Sequence, residues 1–459
     1  MAAVAQPRTG SANVLTHYYD ELGQIMGSVR AGRAPLPTAG AGFAPDFALP
    51  PLTSRLERYF SAGSITTGDL GEYRGVRLSL LNLMGNPGTR TTKTLASLLM
   101  VARAVGHIQR TGENVMIVTP SSANKATALR DAVLGAIRSG LVTPDQLRIA
   151  VVVPEASRPK LWSSPLSTDP ELAARNPVLV LPGADRSAVK TLAAGLVEQH
   201  ADTVYALTGT RLWYSLDLDN YRTADAARAL YERDFCPARP GERRLHAHAV
   251  SSAYGLLGHH LGHTAIGADG DPRYFLVQHL DTPDMVLNLY FGSAERDHLP
   301  AYRYDAADGL YRQDGDLRFP VTTYHPDEIL DPTFYTHRPP TSARMNELIR
   351  TGGGGGIVVS LHECLQRYPL LRSRLGEAGV HLPADPRRLR EWSLVMAATG
   401  VLNAIDRGLI SDDEVLLHGS GSYGLDDYVP LRDDAARTVE QACDLRKAVF
   451  HAVLVGDGD

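Results

Sequence analysis

The stretch Gly85-Asn86-Pro87-Gly88-Thr89-Arg90-Thr91-Thr92-Lys93 decides the reading of this 459-residue chain. It is a Gly/Pro turn that runs into a helical pattern over residues 91–110, with a lysine in the first turns. Residues 76–83 before it read as a strand. Beyond it come a short buried strand (114–118), a helix (123–139), strands at 148–153 and 178–181, and a helix at 187–200. Short apolar strands alternating with longer helices predict βαβ units and a mostly parallel sheet.

Outside this core the pattern is looser. Residues 16–29 predict a short helix, and 30–51, dense in Ala, Gly and Pro, read as a linker or a wrapped arm. Helices are expected at 224–233 and 253–264, and a strand at 274–279. Residues 281–340 are aromatic, Pro-rich and irregular, an insertion or a cap over a site. A glycine run at 352–356 leads into 357–360, a long helix is expected at 387–407, and a last buried strand at 414–417 meets Gly419-Ser420-Gly421-Ser422. No internal repeat is visible.

Composition narrows the class. Apolar residues make up 44% and charged residues 21%, which describes a folded globular chain. Forty-six basic against 51 acidic side chains give a formal charge of -5, so nucleic acid is not an expected partner. Three widely spaced cysteines, Cys236, Cys364 and Cys443, make no disulfide framework and suit a reducing cytoplasm, where they are expected to be buried and inert. No apolar run reaches the roughly 18–20 residues needed to cross a bilayer, and residues 1–6 do not open a secretory signal. There are five lysines, Lys93, Lys125, Lys160, Lys190 and Lys447. Arginine carries nearly all the other positive charge, so a retained lysine points to an amine that can lose its proton.

Three features stand at strand-to-helix turns, where open α/β sheets bind ligands. The first is the turn already quoted. The second, Thr119-Pro120-Ser121-Ser122-Ala123-Asn124-Lys125, ends a strand and opens a helix. The third is His418-Gly419-Ser420-Gly421-Ser422, after the last strand. Brought to one sheet end, they supply an amine, an amide and hydroxyls around one crevice.

At these residues the chain resembles the fold type II pyridoxal-phosphate enzymes, the tryptophan synthase beta, threonine synthase and cysteine synthase superfamily. That family carries an Asn-Pro-x-Gly-Ser-x-Lys turn whose lysine forms the Schiff base, then a Ser-Ser-Gly-Asn turn whose asparagine contacts the cofactor 3-hydroxyl. Asn86, Pro87, Gly88, Thr89 and Lys93 match the first; Ser121, Ser122, Ala123 and Asn124 match the second, with Asn124 31 residues after Lys93. Val151-Val152-Val153-Pro154-Glu155, with Lys160 after it, resembles the next strand and turn, and the block from Glu363 to Gly421 has the rhythm of threonine synthase. The resemblance covers about residues 50–425. Two departures stand out: Lys93-Thr94-Leu95 replaces the usual Lys-Asp-Arg, and Ala123 replaces a glycine.

The resemblance implies an α/β protein of two open, twisted, mostly parallel sheets flanked by helices, with the cofactor between two domains. Residues 1–50 would form an N-terminal extension, 85–200 a smaller mobile domain, and 51–84 plus 201–459 the large domain, with 281–345 inserted. Lys93 would be the internal-aldimine amine and general base, and Asn124 would hold the ring oxygen. Ser121 and Ser122 would receive the substrate carboxylate. The phosphate would sit on Ser251, Ser252, Ala253, Tyr254 and Gly255, or alternatively on the glycine run 352–356. His418 or Ser420 would face the ring nitrogen. The implied reaction is beta- or gamma-elimination or replacement on an amino acid by a cytoplasmic homodimer with no nucleic-acid or membrane partner.

Other readings compete. Lys93 read alone is an ordinary helix lysine, Asn124 a helix N-cap, and Lys125 an alternative Schiff-base amine. A P-loop needs Gly directly before its Lys, where Thr92 stands. His246, His248, His259, His260 and His263 lack the Glu of a zinc-protease helix, read as a polar face or a phosphate contact, and predict no metal. Gly419-Ser420-Gly421 lacks the frame of a hydrolase elbow. A degenerate cofactor-binding regulator and a nucleotide-binding enzyme are the alternative functions.

Overall fold

Valine, isoleucine and leucine fill the strands Asn114–Pro120, Leu147–Pro154 and Val178–Leu181. Such continuous apolar runs belong in a parallel sheet covered on both faces. The computed structural model, which describes residues 12–32, 40–183, 185 and 188–455, folds them that way. The expectations for residues 1–6, for 33–39 of the arm and for Ser187 lie outside the described residues. The chain divides into two compact units, each with its own sheet.

Among the described residues, the first unit comprises 13–32, 40–63, 86–183, 185, 188–224 and 428–455. Its five-stranded sheet runs Arg437–Thr438, Val178–Leu181, Leu147–Pro154, Asn114–Pro120, Thr210–Tyr214, with every neighbouring pair parallel. Helices Lys93–Thr111, Asn124–Arg138 and Ala188–Thr208 connect the strands. Met116, Val118, Val152 and Leu179 pack with Val189, Val197 and Val204 of one helix and Leu445 and Val449 of Ala442–Leu454. The expected smaller domain, 85–200, is therefore only part of this unit. Strand Thr210–Tyr214 and the C-terminal elements pair or pack within the same sheet layer, and their short length hid them. The expected extension is also built in. Helix Tyr19–Ala31 is amphipathic, and Phe47 of the arm lies 3.8 Å under the Arg103 guanidinium, whose Nε donates to Asp46 O at 2.9 Å.

Among the described residues, the second unit comprises residue 12, 64–85 and 225–427. From Ser64–Tyr73 its sheet continues through Val76–Asn82, Glu414–Gly419, Arg244–Ala249, Arg273–His279 and Gly354–Val359. Only the Ser64–Tyr73 pairing in this series is antiparallel. Val277, Ile357, Val395, Val401 and Val415 centre its core. Helix Ser393–Asp406 begins later than expected, because residues 386–388 form a 3₁₀ turn after the Asp385 cap. The insertion contains helix Asp284–Phe291 and a small antiparallel sheet, Arg303–Asp305, Leu310–Arg312 and Thr322–Thr323.

Gly354, Gly355 and Gly356 of the glycine run open a strand, while Gly352 ends helix Ser342–Gly352 and Gly353 caps it. A Cβ on Gly354 would lie 1.9 Å from Tyr274 O, and one on Gly355 would lie 2.7 Å from the Tyr290 hydroxyl. Glycine is needed there because neighbouring atoms approach the backbone closely. Gly356 N donates to Tyr290 Oη at 2.8 Å. The alternative phosphate cradle at 352–356 thus has three of its five glycines in the sheet.

Candidate active site

In the first unit the quoted stretch forms a locked turn. Asn86 Oδ1 accepts from Gly88 N at 2.9 Å, and Arg90 N bonds Asn86 O at 2.8 Å. Asn86 Nδ2 donates to Asp131 Oδ2 at 3.0 Å, which joins the turn to helix Asn124–Arg138. Burial raises the Asp131 carboxyl, and the Asn86 bond opposes that rise. Gly88 packs against Asp131, where a Cβ would lie 2.7 Å from Oδ1. Lys93 then opens helix Lys93–Thr111, its N–H bonded to Thr91 Oγ1 at 3.2 Å.

The second motif opens the neighbouring helix. Ser121 Oγ accepts from Ala123 N at 3.2 Å and Ala126 N at 2.8 Å, so Ser121 supplies the capping oxygen. Asn124 is the first helical residue and not the cap. Ser122 and Asn124 are half-buried, while Ser121 is buried. Ala123 sits at φ 99°, ψ -61°, a conformation an L side chain rarely adopts.

Beside Asn124 is a residue whose environment the sequence did not reveal. The Lys125 side chain is buried, and Nζ has no hydrogen-bond partner. Desolvation, then the charges of Lys93 and Lys190, pull its pKa down to about 7. Lys93 Nζ and Lys125 Nζ lie 5.5 Å and 5.8 Å from the centroid of the same Tyr221 ring. Lysine scarcity was the one sequence signal pointing here.

In the second unit, residues 251–255 join strand Arg244–Ala249 to helix Tyr254–Ala265. Ala253 takes a left-handed conformation at φ 52°, and Thr341 Oγ1 donates to Ser252 O at 2.7 Å. Ser251, Ser252 and Tyr254 are half-buried; Ala253 and Gly255 are buried. A Cβ on Gly255 would lie 2.5 Å from Arg228 Nη2, so glycine there lets a buried guanidinium reach the helix start.

His418 and Ser420 part company. The His418 ring is fully buried, with Nδ1 3.2 Å from Arg228 Nη1 and Nε2 3.1 Å from His246 Nδ1. An arginine only donates, so Nδ1 of neutral His418 accepts and Nε2–H donates to His246. His246 Nε2–H then faces Glu232 Oε1 at 3.7 Å. From the other side, Tyr274 donates to His259 Nδ1 at 2.9 Å, and His259 Nε2–H donates to Glu232 Oε2 at 2.8 Å. Burial pulls His246 down to about 3 and His418 well below its ordinary value. Burial alone would raise Glu232, but His246, His259 and Arg244 hold its carboxyl below the usual range.

Glu232, His246 and His259 place candidate ligand atoms within 4.8 Å of one another. In this chain of donors, however, the nitrogens facing Glu232 carry hydrogens, so the group is joined as donors to one acceptor. Both His418 nitrogens are likewise engaged and are not available to a ring nitrogen. Ser420, by contrast, is buried with Oγ lacking a hydrogen-bond partner. Of the two expected alternatives, Ser420 has the available atom.

The cysteines do not share one environment. Cys364 is buried, Cys236 is partly exposed and Cys443 is exposed, and none is paired. No helix among the described residues is long and apolar enough to cross a membrane.

Known structures resemble this arrangement. PLP-bound threonine synthase from Brucella melitensis matches at a TM-score of 0.50 and 12% identity, over 82% of this chain and 78% of that one. Threonine synthase from yeast matches at 0.50 and 10%, over 87% and 83%. At these identities the likeness is one of fold, and the fold is that of the fold type II pyridoxal-phosphate enzymes. No curated protein matches the sequence. A family model described as "Family of unknown function (DUF6002)" matches residues 10–453, and the chain belongs to that family.

Proposed function

We propose that the chain binds pyridoxal 5'-phosphate through Lys93 and catalyses beta- or gamma-elimination or replacement on an amino acid. The observation that carries this reading is the pairing of two helix starts. Lys93 opens one helix, Asn124 opens the other, and the Asn86–Asp131 bond ties them in one parallel-sheet unit. When bound, the cofactor supplies an electron sink for the bond that breaks.

The chain's residues supply the rest. Lys93 Nζ would hold the cofactor and would take and return the proton at the substrate alpha carbon. The Asn124 carboxamide orients the ring through its 3-oxygen. Ser122, with the single O–H left to Ser121, receives the substrate carboxylate. Residues 251–255 hold the phosphate with the Ser251 and Ser252 hydroxyls and the amides of a helix start. The orphaned Ser420 Oγ suits the ring nitrogen. A neutral hydroxyl there would hold that nitrogen without charging it, an arrangement that suits elimination better than transamination. The departures Ala123 and Lys93-Thr94-Leu95 support a specialised biosynthetic member.

Adding pyridoxal phosphate to the purified chain tests the reading. Yellow absorbance that borohydride bleaches, absent in Lys93→Ala, is the expected result. Release of ammonia, acetate or phosphate from O-acetylated or O-phosphorylated amino acids then names the substrate. A colourless protein contradicts the proposal, and a yellow protein inert on all of them favours a regulator.

A further inference from the structure

Two of the five lysines of this chain face one tyrosine ring, and a third bears on one of them. Lys93 and Lys190 both bear electrostatically on Lys125. Lys93 and Lys125 are the first and second residues of their helices, where the helix dipole is positive and an ammonium is disfavoured. Each amine lies against the Tyr221 ring, at 5.5 Å and 5.8 Å from its centroid. Lys125 Nζ is buried without a hydrogen-bond partner, although an ammonium needs several acceptors. Among the described residues, the groups bearing on it are Lys93, Lys190 and the Tyr221 ring, and none is a carboxylate. An arginine here would carry a permanent charge, whereas a lysine can stand neutral.

A neutral amine facing the same tyrosine ring as Lys93 answers a chemical need. An amino acid arrives mainly as an ammonium, which has no lone pair to attack an aldehyde carbon. While Lys93 Nζ is joined to that carbon, it is poorly placed to take the ammonium proton. We infer that Lys125 is the proton carrier for amine exchange at Lys93, taking a proton from the incoming ammonium and returning it to the departing Lys93 amine. The balance is simple. An N–H bond of the incoming ammonium breaks and one forms on Lys125 Nζ. The freed amine bonds to the aldehyde carbon as the bond from that carbon to Lys93 breaks, and of its two N–H protons one stays on its own nitrogen while the other passes to Lys93 Nζ. Lys125 then passes its proton to the same Lys93 nitrogen, which carries none while joined to the carbon, so Lys93 leaves as a neutral amine able to take the alpha proton. No oxidant or reductant is involved. The inference rests on the proposed function and adds a role for a residue that reading leaves unused.

The experiment compares wild type, Lys125→Met and Lys125→Arg as full chains loaded with pyridoxal phosphate. Two displacing amines are used at pH 7.5: methylamine, which is almost wholly charged, and hydroxylamine, which is almost wholly neutral. Both Lys125 variants are expected to slow methylamine exchange by about 30-fold or more and to leave hydroxylamine exchange within about threefold, by general acid–base magnitudes. Equal slowing of both reagents means a structural role and overturns the inference, as does no slowing of either. A borohydride-fixed label on Lys125 also overturns it, because Lys125 is then the aldehyde-bearing amine. A colourless wild type overturns the functional reading itself.

A second readout needs no cofactor. A lysine titrating near 7 when folded and near 10.5 when unfolded binds more protons in the unfolded chain between those values. Wild type should therefore gain on Lys125→Met by up to about tenfold in folding equilibrium constant per pH unit across that window. A flat difference from pH 7 to 10 overturns the neutral-amine premise.

Discussion

Asn86 donates to Asp131 at 3.0 Å across 45 residues of sequence. That bond couples the turn leading to Lys93 with the helix carrying Asn124 and Lys125. Asn86→Ala leaves a half-buried carboxyl without this donor and should cost about 1–2 kcal/mol, measured by urea denaturation. Its second effect should be weaker pyridoxal phosphate binding in the folded protein. An unchanged midpoint would show that the two helix starts are held by other contacts.

Ala123 stores strain in a backbone conformation that suits glycine. At φ 99° and ψ -61° its side chain opposes the backbone, so Ala123→Gly should stabilise the chain by about 1 kcal/mol. Ala132→Gly, inside the same helix at ordinary geometry, should instead destabilise it by about 1 kcal/mol. Thermal unfolding of the two variants side by side gives the sign of each.

The histidine chain predicts an acid limit. His246, at about 3 when folded, titrates near 6.5 when unfolded, so the unfolded chain binds more protons between those values. Stability should fall as pH drops below about 6.5, by up to about 1.4 kcal/mol per pH unit for each such histidine. His418 shifts the same way and steepens the slope. Glu232, held below its ordinary value, adds a further loss below about pH 4.5. Denaturation midpoints from pH 4 to 8 should flatten in His418→Gln relative to wild type.

Much of the first unit is legible in its residues, because strands such as Asn114–Pro120 and Leu147–Pro154 are apolar on both faces. Ser64–Tyr73 escapes notice because it is polar, and Arg244–Ala249 because His246 and His248 break its apolar run. Their burial depends on partners far away in sequence, such as His418 and Glu232. Gly354–Val359 escapes because its glycines resemble a loop; only Tyr274 and Tyr290 explain them. At the site, residue type and spacing point to Lys93 and Asn124. The burial of Lys125 and the capping role of Ser121 arise from packing, which a charged or polar letter does not disclose.

Two glycines separate the phosphate alternatives. Gly355→Ala meets the Tyr290 hydroxyl and should cost about 1–3 kcal/mol while leaving pyridoxal phosphate affinity of the folded protein unchanged. Gly255→Ala drives a methyl group into the Arg228 guanidinium and should lower both stability and affinity. Fluorescence titration at a denaturant-free midpoint of cofactor concentration checks the pair. Lost affinity in Gly355→Ala alone would return the phosphate to the glycine run.

The most direct measurement is peptide mapping of the full chain after pyridoxal phosphate loading and borohydride reduction. The account predicts one pyridoxyl group per chain, on the peptide containing Lys93. A label on any other lysine, or on none, contradicts it.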